Sequence, residues 1–159
     1  MAITQTLCTS FKAELMLAVH DFRLTSGDTF KLALYTSAAS IDANTTSYTS
    51  SSEVSSSGTN YTAGGGTLVN LGVTASNTSA SAGTGFTDFT DLTFANATIT
   101  ARGALIYNTT PSANGTANTT LTNAAVAVLD FGSDKTSTDG DFTIIFPTAT
   151  NTTAIIRIA

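Results

Sequence analysis

The stretch Asp28-Thr29-Phe30-Lys31-Leu32-Ala33-Leu34-Tyr35-Thr36 decides how this chain is read. Phe30, Leu32 and Leu34 fall on one side of an extended backbone, and Lys31, Ala33 and Tyr35 on the other. That is the period of two that a β-strand imposes. Immediately upstream the period differs. In Ser10–Phe22 the apolar residues Phe11, Leu15, Ala18, Val19 and Phe22 recur at helical spacing, so an amphipathic helix is expected there. Ser10 is placed to cap it, and Glu14 lies toward the end where the helix dipole favours an acid. Ser26-Gly27-Asp28 then reads as the turn into the first strand.

Downstream of Thr36 the period of two persists. Thr67–Val73, Phe86–Phe94, Ala97–Tyr107, Ala124–Phe131, Asp141–Phe146 and Ala154–Ile158 read as further strands separated by turn-rich segments. Phe142, Ile144 and Phe146 alternate with Asp141, Thr143 and Ile145, as in a strand with one buried face. Ala124–Leu129 is apolar on both faces and reads as a central strand covered twice. The expectation is a mainly β chain: an antiparallel β-sandwich or jelly-roll-like domain with one short N-terminal helix and long polar loops. Residues 1–27 form the helical segment and 28–159 the β domain of a single unit.

Three polar insertions interrupt this frame. Ser37–Gly66 is rich in Thr and Ser and ends in Gly64-Gly65-Gly66, Thr74–Gly85 is nearly all small polar residues, and Asn108–Asn123 separates two strands that look like hairpin partners. Loops this long in a compact domain are either contact-making or mobile. Ser37–Gly66 is consistent with a mobile loop or with an ordered arm.

Charge is the compositional outlier. Charged residues make up 11% of the chain, where about 25% is usual, and the net charge is −5. Between Asp42 and Asp130 only Glu53, Asp88, Asp91 and Arg102 carry charge. No basic cluster marks a nucleic-acid footprint or an anionic-membrane contact, so neither partner is expected. No apolar run is long enough to span a membrane as a helix. Lys12 and Glu14 interrupt the only candidate export signal. The many Asn-x-Ser/Thr triplets then reflect composition and not glycosylation.

The residues that carry chemistry in other proteins are sparse. Cys8 is the lone cysteine and His20 the lone histidine, so no His/Cys metal cage and no intrachain disulfide can form. Cys8 reads as a small buried side chain, and His20 as a surface or packing residue. Gly64-Gly65-Gly66 lacks the Lys-Ser/Thr ending of a phosphate loop and reads as a flexible turn. Asp130, Asp134, Asp139 and Asp141 bracket Gly132–Gly140, which reads as a solvated hairpin tip; its spacing is not that of a calcium loop. Asp88 or Asp91 is expected to pair with Arg102 across strands. No catalytic residue, cofactor or metal ligand is assigned, and an enzyme is not expected.

Several stretches nevertheless carry a resemblance: Asp28–Thr36, Tyr61-Thr62-Ala63-Gly64-Gly65-Gly66, Ala97–Tyr107, Val126–Lys135 and Ala154–Ala159. Together they resemble small virion proteins of tailed bacteriophages, of the head decoration or cement type. The resemblance implies a protein made in the host cytoplasm and carried on the outer capsid surface of the virion. There it would bind the major capsid protein as a homo-oligomer, most commonly a trimer, and stabilise the assembled head between capsomers. The alternative is a tail, tail-tip or fibre-associated module contacting host glycans, with Tyr35, Tyr48, Tyr61 or Tyr107 stacking on sugar.

Overall fold

The computed structural model describes residues 2–76, 83–113, 116–117 and 120–159. The middle of Thr74–Gly85 and parts of Asn108–Asn123 lie outside these, with the triplets at Asn77, Asn114 and Asn118. The chain is 48% strand and 6% helix, arranged as two antiparallel sheets with one short helix, the architecture of a β-sandwich. In chain order the elements are β1 (Thr6–Leu7), α1 (Thr9–Met16), β2 (Phe30–Tyr35), β3 (Gly66–Thr67), β4 (Asn70–Ser76), β5 (Thr84–Phe89), β6 (Leu92–Asn108), β7 (Ser112–Ala113), β8 (Thr116–Ala117), β9 (Ala124–Ile144) and β10 (Ile156–Ile158). The larger sheet has the order β1-β9-β6-β2-β3 and the smaller β10-β5-β4, while β7 and β8 form a small ribbon of their own. No helix among the described residues is long and apolar enough to cross a membrane.

The helix is shorter than its apolar period implies. It ends at Met16 because Ala18 adopts a left-handed conformation, φ 55°. The amide of Ala18 then donates to the Leu15 carbonyl and that of Val19 to the Glu14 carbonyl. This is a Schellman stop, usually built on glycine, and an alanine there leaves little trace in the sequence. Cys8, not Ser10, occupies the N-cap position, and no side chain caps it. Val19 and Phe22 remain buried although they lie beyond the helix, while Ala18 is exposed.

Two of the strands read from the sequence are divided between sheets. Thr67–Val73 becomes β3 in the larger sheet and β4 in the smaller. Phe86–Phe94 becomes β5 in the smaller sheet and the start of β6 in the larger. At the second crossing the Asp91 carboxylate accepts the Phe146 amide at 2.9 Å. A chain of phenylalanines ties the layers together. Phe11 meets Phe22 edge-on, Phe22 stacks on Phe30 of β2 at 4.4 Å, Phe30 meets Phe89 of β5 at 5.6 Å, and Phe89 meets Phe146 at 5.8 Å. Aromatic pairs at such separations add about 0.5–1.5 kcal/mol each beyond the area they bury.

The largest departure from the sequence pattern is β9. Ala124–Phe131 and Asp141–Phe146 were expected as two strands around a Gly132–Gly140 hairpin tip. Instead Ala124–Ile144 is one strand that stays paired with β6 throughout. The turn-type residues are absorbed as bulges. Gly103 pairs with Asp130 and Ala101 with Lys135, so Phe131–Asp134 all face Arg102, and Gly132 takes φ +74°. A second irregularity places Asp139 at φ 47°. The hairpin joining β6 to β9 lies where the Asn108–Asn123 insertion was expected. Ala124–Val128 is buried on both faces and the alternation of Phe142, Ile144 and Phe146 holds.

Candidate functional site

Most of the groups singled out in the sequence are occupied internally. Cys8 is fully buried, and burial pushes its thiol up to about 11. His20 packs edge-on against Phe11 and is held at both nitrogens. The Asn108 amide nitrogen lies 3.0 Å from Nδ1 and also donates to Asp28, while the Asn108 oxygen accepts the Thr110 amide. Nδ1 is therefore an acceptor, and Nε2–H donates to Glu14 at 2.7 Å. His20 is a buried packing residue.

The expected pairing of Arg102 is corrected: its partner is Asp130, not Asp88 or Asp91. The Gly132 amide and then Arg102 hold the Asp130 carboxyl below its ordinary range. Asp88 is wholly buried and accepts the amides of Phe89 and Ile155, which moors the C-terminal segment to β5. Burial raises its carboxyl, and the two amides oppose that rise. Asp139 accepts the Thr98 hydroxyl and Asp141 the Asn96 amide. Among the described residues no group of three or more His, Cys, Asp or Glu side chains could hold a metal ion.

All four tyrosines gather around Glu53. The Tyr61 hydroxyl and the Gly64 amide donate to one carboxylate oxygen, and the Tyr48 hydroxyl to the other, each at 2.7 Å. Tyr48 stacks on Tyr107, whose hydroxyl donates to the Gly64 carbonyl, and Tyr35 donates to Thr49. Burial raises the phenols of Tyr35, Tyr48 and Tyr61, and pushes Tyr107 up to about 12, with Glu53 adding to the rise. Ser37–Gly66 is thereby folded back on its own sheet. Ser52 and Val54 also exchange backbone bonds with Thr36 and Leu34. Gly64-Gly65-Gly66, expected to be a flexible turn, is a packed one. A Cβ on Gly65 would lie 1.7 Å from the Leu32 carbonyl oxygen.

One extended exposed surface is the outer half of β6 and β9, residues 92–101 against 135–144. Ten residues of strand extend about 33 Å. Its inner face, with Phe94, Ile99, Phe142 and Ile144, is buried, and Phe94 meets Tyr61 of the clamped loop at 5.3 Å. The outer face is a ladder of hydroxyls: Thr93 with Thr143 at 2.9 Å, Thr98 with Asp139 at 3.1 Å, and Thr100 with Thr136 at 3.4 Å. Hydroxyls both donate and accept, and binding a partner through them buries little charge. The rigid backing fixes their spacing, which lowers the entropy lost on docking. Sequence reasoning found the threonines but placed most of Gly132–Gly140 in a turn. It missed Glu53, although a lone carboxylate in so charge-poor a segment is itself a signal of an internal acceptor.

Comparison of the chain with protein-family models, curated protein sequences and solved structures gives no match.

Proposed function

We propose that this chain is a capsid decoration protein of a tailed bacteriophage. It acts by binding, without chemistry, as a homo-oligomer on the outer surface of the assembled head. Its partner is the major capsid protein, and its effect is to brace neighbouring capsomers. The observation that carries this reading beside the sequence resemblance is the threonine face of the β6–β9 ribbon: exposed, built mainly of hydroxyls with Asp139 among them, and held from behind by the clamped loop. Many weak contacts of this kind, repeated over a lattice, sum to strong attachment. Of the tyrosines named for sugar stacking in the tail alternative, Tyr35, Tyr61 and Tyr107 are buried and Tyr48 stacks on Tyr107, which gives that reading less support.

The test is addition of the purified protein to heads lacking it. Saturable binding to the head exterior, with a rise in the temperature at which heads disrupt, is expected. Thr100→Arg together with Thr136→Arg, charging the ladder, should abolish it. Immunogold label confined to tails, or heads equally heat-resistant with and without bound protein, would overturn the proposal.

A further inference from the structure

One side of β9 is paired with β6 from Ala124 to Ile144. Its other edge is covered only at the start. There β1 pairs with Ala127 and Val128, the Cys8 amide donates to the Val126 carbonyl, and the Ala125 amide donates to the Thr46 carbonyl. From Leu129 to Ile144 no backbone hydrogen bond from another described residue reaches that outer edge. Alternate residues of an edge strand point their N–H and C=O groups outward, and another extended chain satisfies such a row in sequence.

Proteins guard open edges with lysine, proline, bulges or short length. The first part of this edge is guarded. Register shifts opposite Ala101–Gly103 and Ala97–Ile99 bend it, and Lys135 lies between them. The last part is plainer: Phe142–Ile144 runs in regular register with Leu92–Phe94, and Asp141–Phe146 contains no lysine, proline or glycine. Beside it lies a depression of about 600 Å³ lined by Phe131, Phe142, Ile144 and Phe146 and, from other segments, by Gln5 and Ile155. Ile145, at the same depression, is 77% exposed.

The two faces of this stretch differ. Phe142, Ile144 and Phe146 are buried, while Asp141, Thr143 and Ile145 are exposed. A strand laid along the edge would put alternate side chains into the depression and the others beside Asp141 and Thr143. Asp141 accepts the Asn96 amide and Asp139 the Thr98 hydroxyl, but neither is in an ion pair with a described residue. A bulge separates both from Lys135, the one base on the strand. The buried side of an added strand is thus suited to apolar residues, and its outer side to bases.

We propose that the edge at Asp141–Phe146 accepts an extended segment of another protein by strand addition, with apolar residues at alternate positions and lysine or arginine between them. Main-chain bonds hold such a segment, the depression selects its apolar side chains, and Asp139 and Asp141 favour its bases. These bonds use the edge of the ribbon and not its threonine face, so the proposal stands apart from the virion reading.

A labelled peptide, Lys-Val-Lys-Val-Lys-Val-Lys-Val, tests it on the intact chain by fluorescence anisotropy, with amide hydrogen exchange to locate the contact. Saturable binding and added protection within Asp141–Phe146 are expected. The block peptide Lys-Lys-Lys-Lys-Val-Val-Val-Val has the same composition without the period, and should bind roughly tenfold more weakly or worse. The alternating peptide with glutamate for lysine should fall by a similar factor. Methylating alternate amide nitrogens of the peptide should abolish binding in one phase and spare it in the other. Ile145→Lys, at an exposed position, should weaken binding with the circular dichroism unchanged. Absence of binding, equal binding of the block peptide, binding that survives both phases of methylation, or protection confined to other segments overturns the proposal. Protection of this edge that rises with the concentration of the chain alone places a second copy there and also overturns it. A chain that braces heads yet binds no peptide loses this inference alone.

Discussion

Replacing Glu53 by alanine removes the acceptor for three donors at once. Two of them, the Tyr61 hydroxyl and the Gly64 amide, belong to buried residues, and the third, on Tyr48, is half-buried. A hydrogen bond to a charged group contributes about 1.5–3 kcal/mol, and less where water replaces the lost partner. Taking the lower half of that range for the buried donors and under about 1 kcal/mol for Tyr48 gives a loss of about 4 kcal/mol. That is a large share of the roughly 5–15 kcal/mol typical of a domain. It corresponds to a fall in Tm of about 8–16 °C for a chain of this size. Glu53→Gln keeps one acceptor oxygen and the shape of the side chain, so it should cost about half as much. Tyr48→Phe, which leaves no buried group stranded, should cost about 1 kcal/mol or less. Urea unfolding followed by far-ultraviolet circular dichroism measures the stabilities, and limited proteolysis within Ser37–Gly66 reports the loop directly. The chain has no tryptophan, so its fluorescence reports the four tyrosines. A Glu53→Ala loss under about 1.5 kcal/mol, or a Gln variant no better than the Ala variant, would show that the carboxylate does not clamp the loop.

Gly65→Ala and Gly132→Ala form a matched pair, since both glycines have φ near +74° but only Gly65 meets a neighbour. Gly132→Ala should cost about 1 kcal/mol of backbone strain, and Gly65→Ala more than about 3 kcal/mol, read by urea unfolding. Equal losses would show that strain alone matters. The raised carboxyl of Asp88 means that the folded chain holds this proton more tightly than the unfolded one. Its contribution to stability is full below the ordinary value of 3.8 and is lost as pH rises through the folded pKa. Asp21 and Asp130, held low, contribute in the opposite sense, above 3.8 and lost as pH falls. Asp88→Asn should therefore gain on the wild type in Tm as pH rises from acid toward neutral, and a constant difference across that window would refute the assignment. Calcium or chelator should move Tm by less than about 1 °C, because the ribbon carboxylates are spread along a strand and not gathered around a cavity. Saturable calcium binding by calorimetry would contradict this.

Much of the fold was legible because strands announce themselves by period. Phe30–Tyr35, the β6–β9 pairing and the alternation at Phe142–Phe146 all follow from which residues must leave water. Other features were not legible, each for a physical reason. A period of two continues unbroken when a strand leaves one sheet for another, so the crossings at Leu68–Val69 and Thr90–Asp91 left no mark. A left-handed alanine ended the helix where only glycine would have been suspected. Turn-type residues in Gly132–Gly140 describe local willingness to bend, but continued pairing with β6 outweighed it and made bulges instead. The tyrosine clamp was hidden because its members are scattered from Tyr35 to Tyr107, and only the folded sheet brings them to Glu53.

Low charge acquires a different meaning once these contacts are placed. Glu53, Asp28, Asp88 and Asp91 each accept backbone or side-chain donors within the fold, and Glu14 and Asp21 are engaged with nearby side chains. What reaches solvent is a few acids and Lys135 at the ribbon, and Lys12, Arg23 and Arg157 elsewhere. A surface crowded with mixed charges would blur that polarity, because each long-range attraction would be offset by nearby charges of the other sign. On a neutral background of threonine and serine a handful of charges is enough to orient one molecule against another. On the threonine ladder the sparsity of charge leaves hydroxyls, which cost less to desolvate than charges and can regain their hydrogen bonds from a partner.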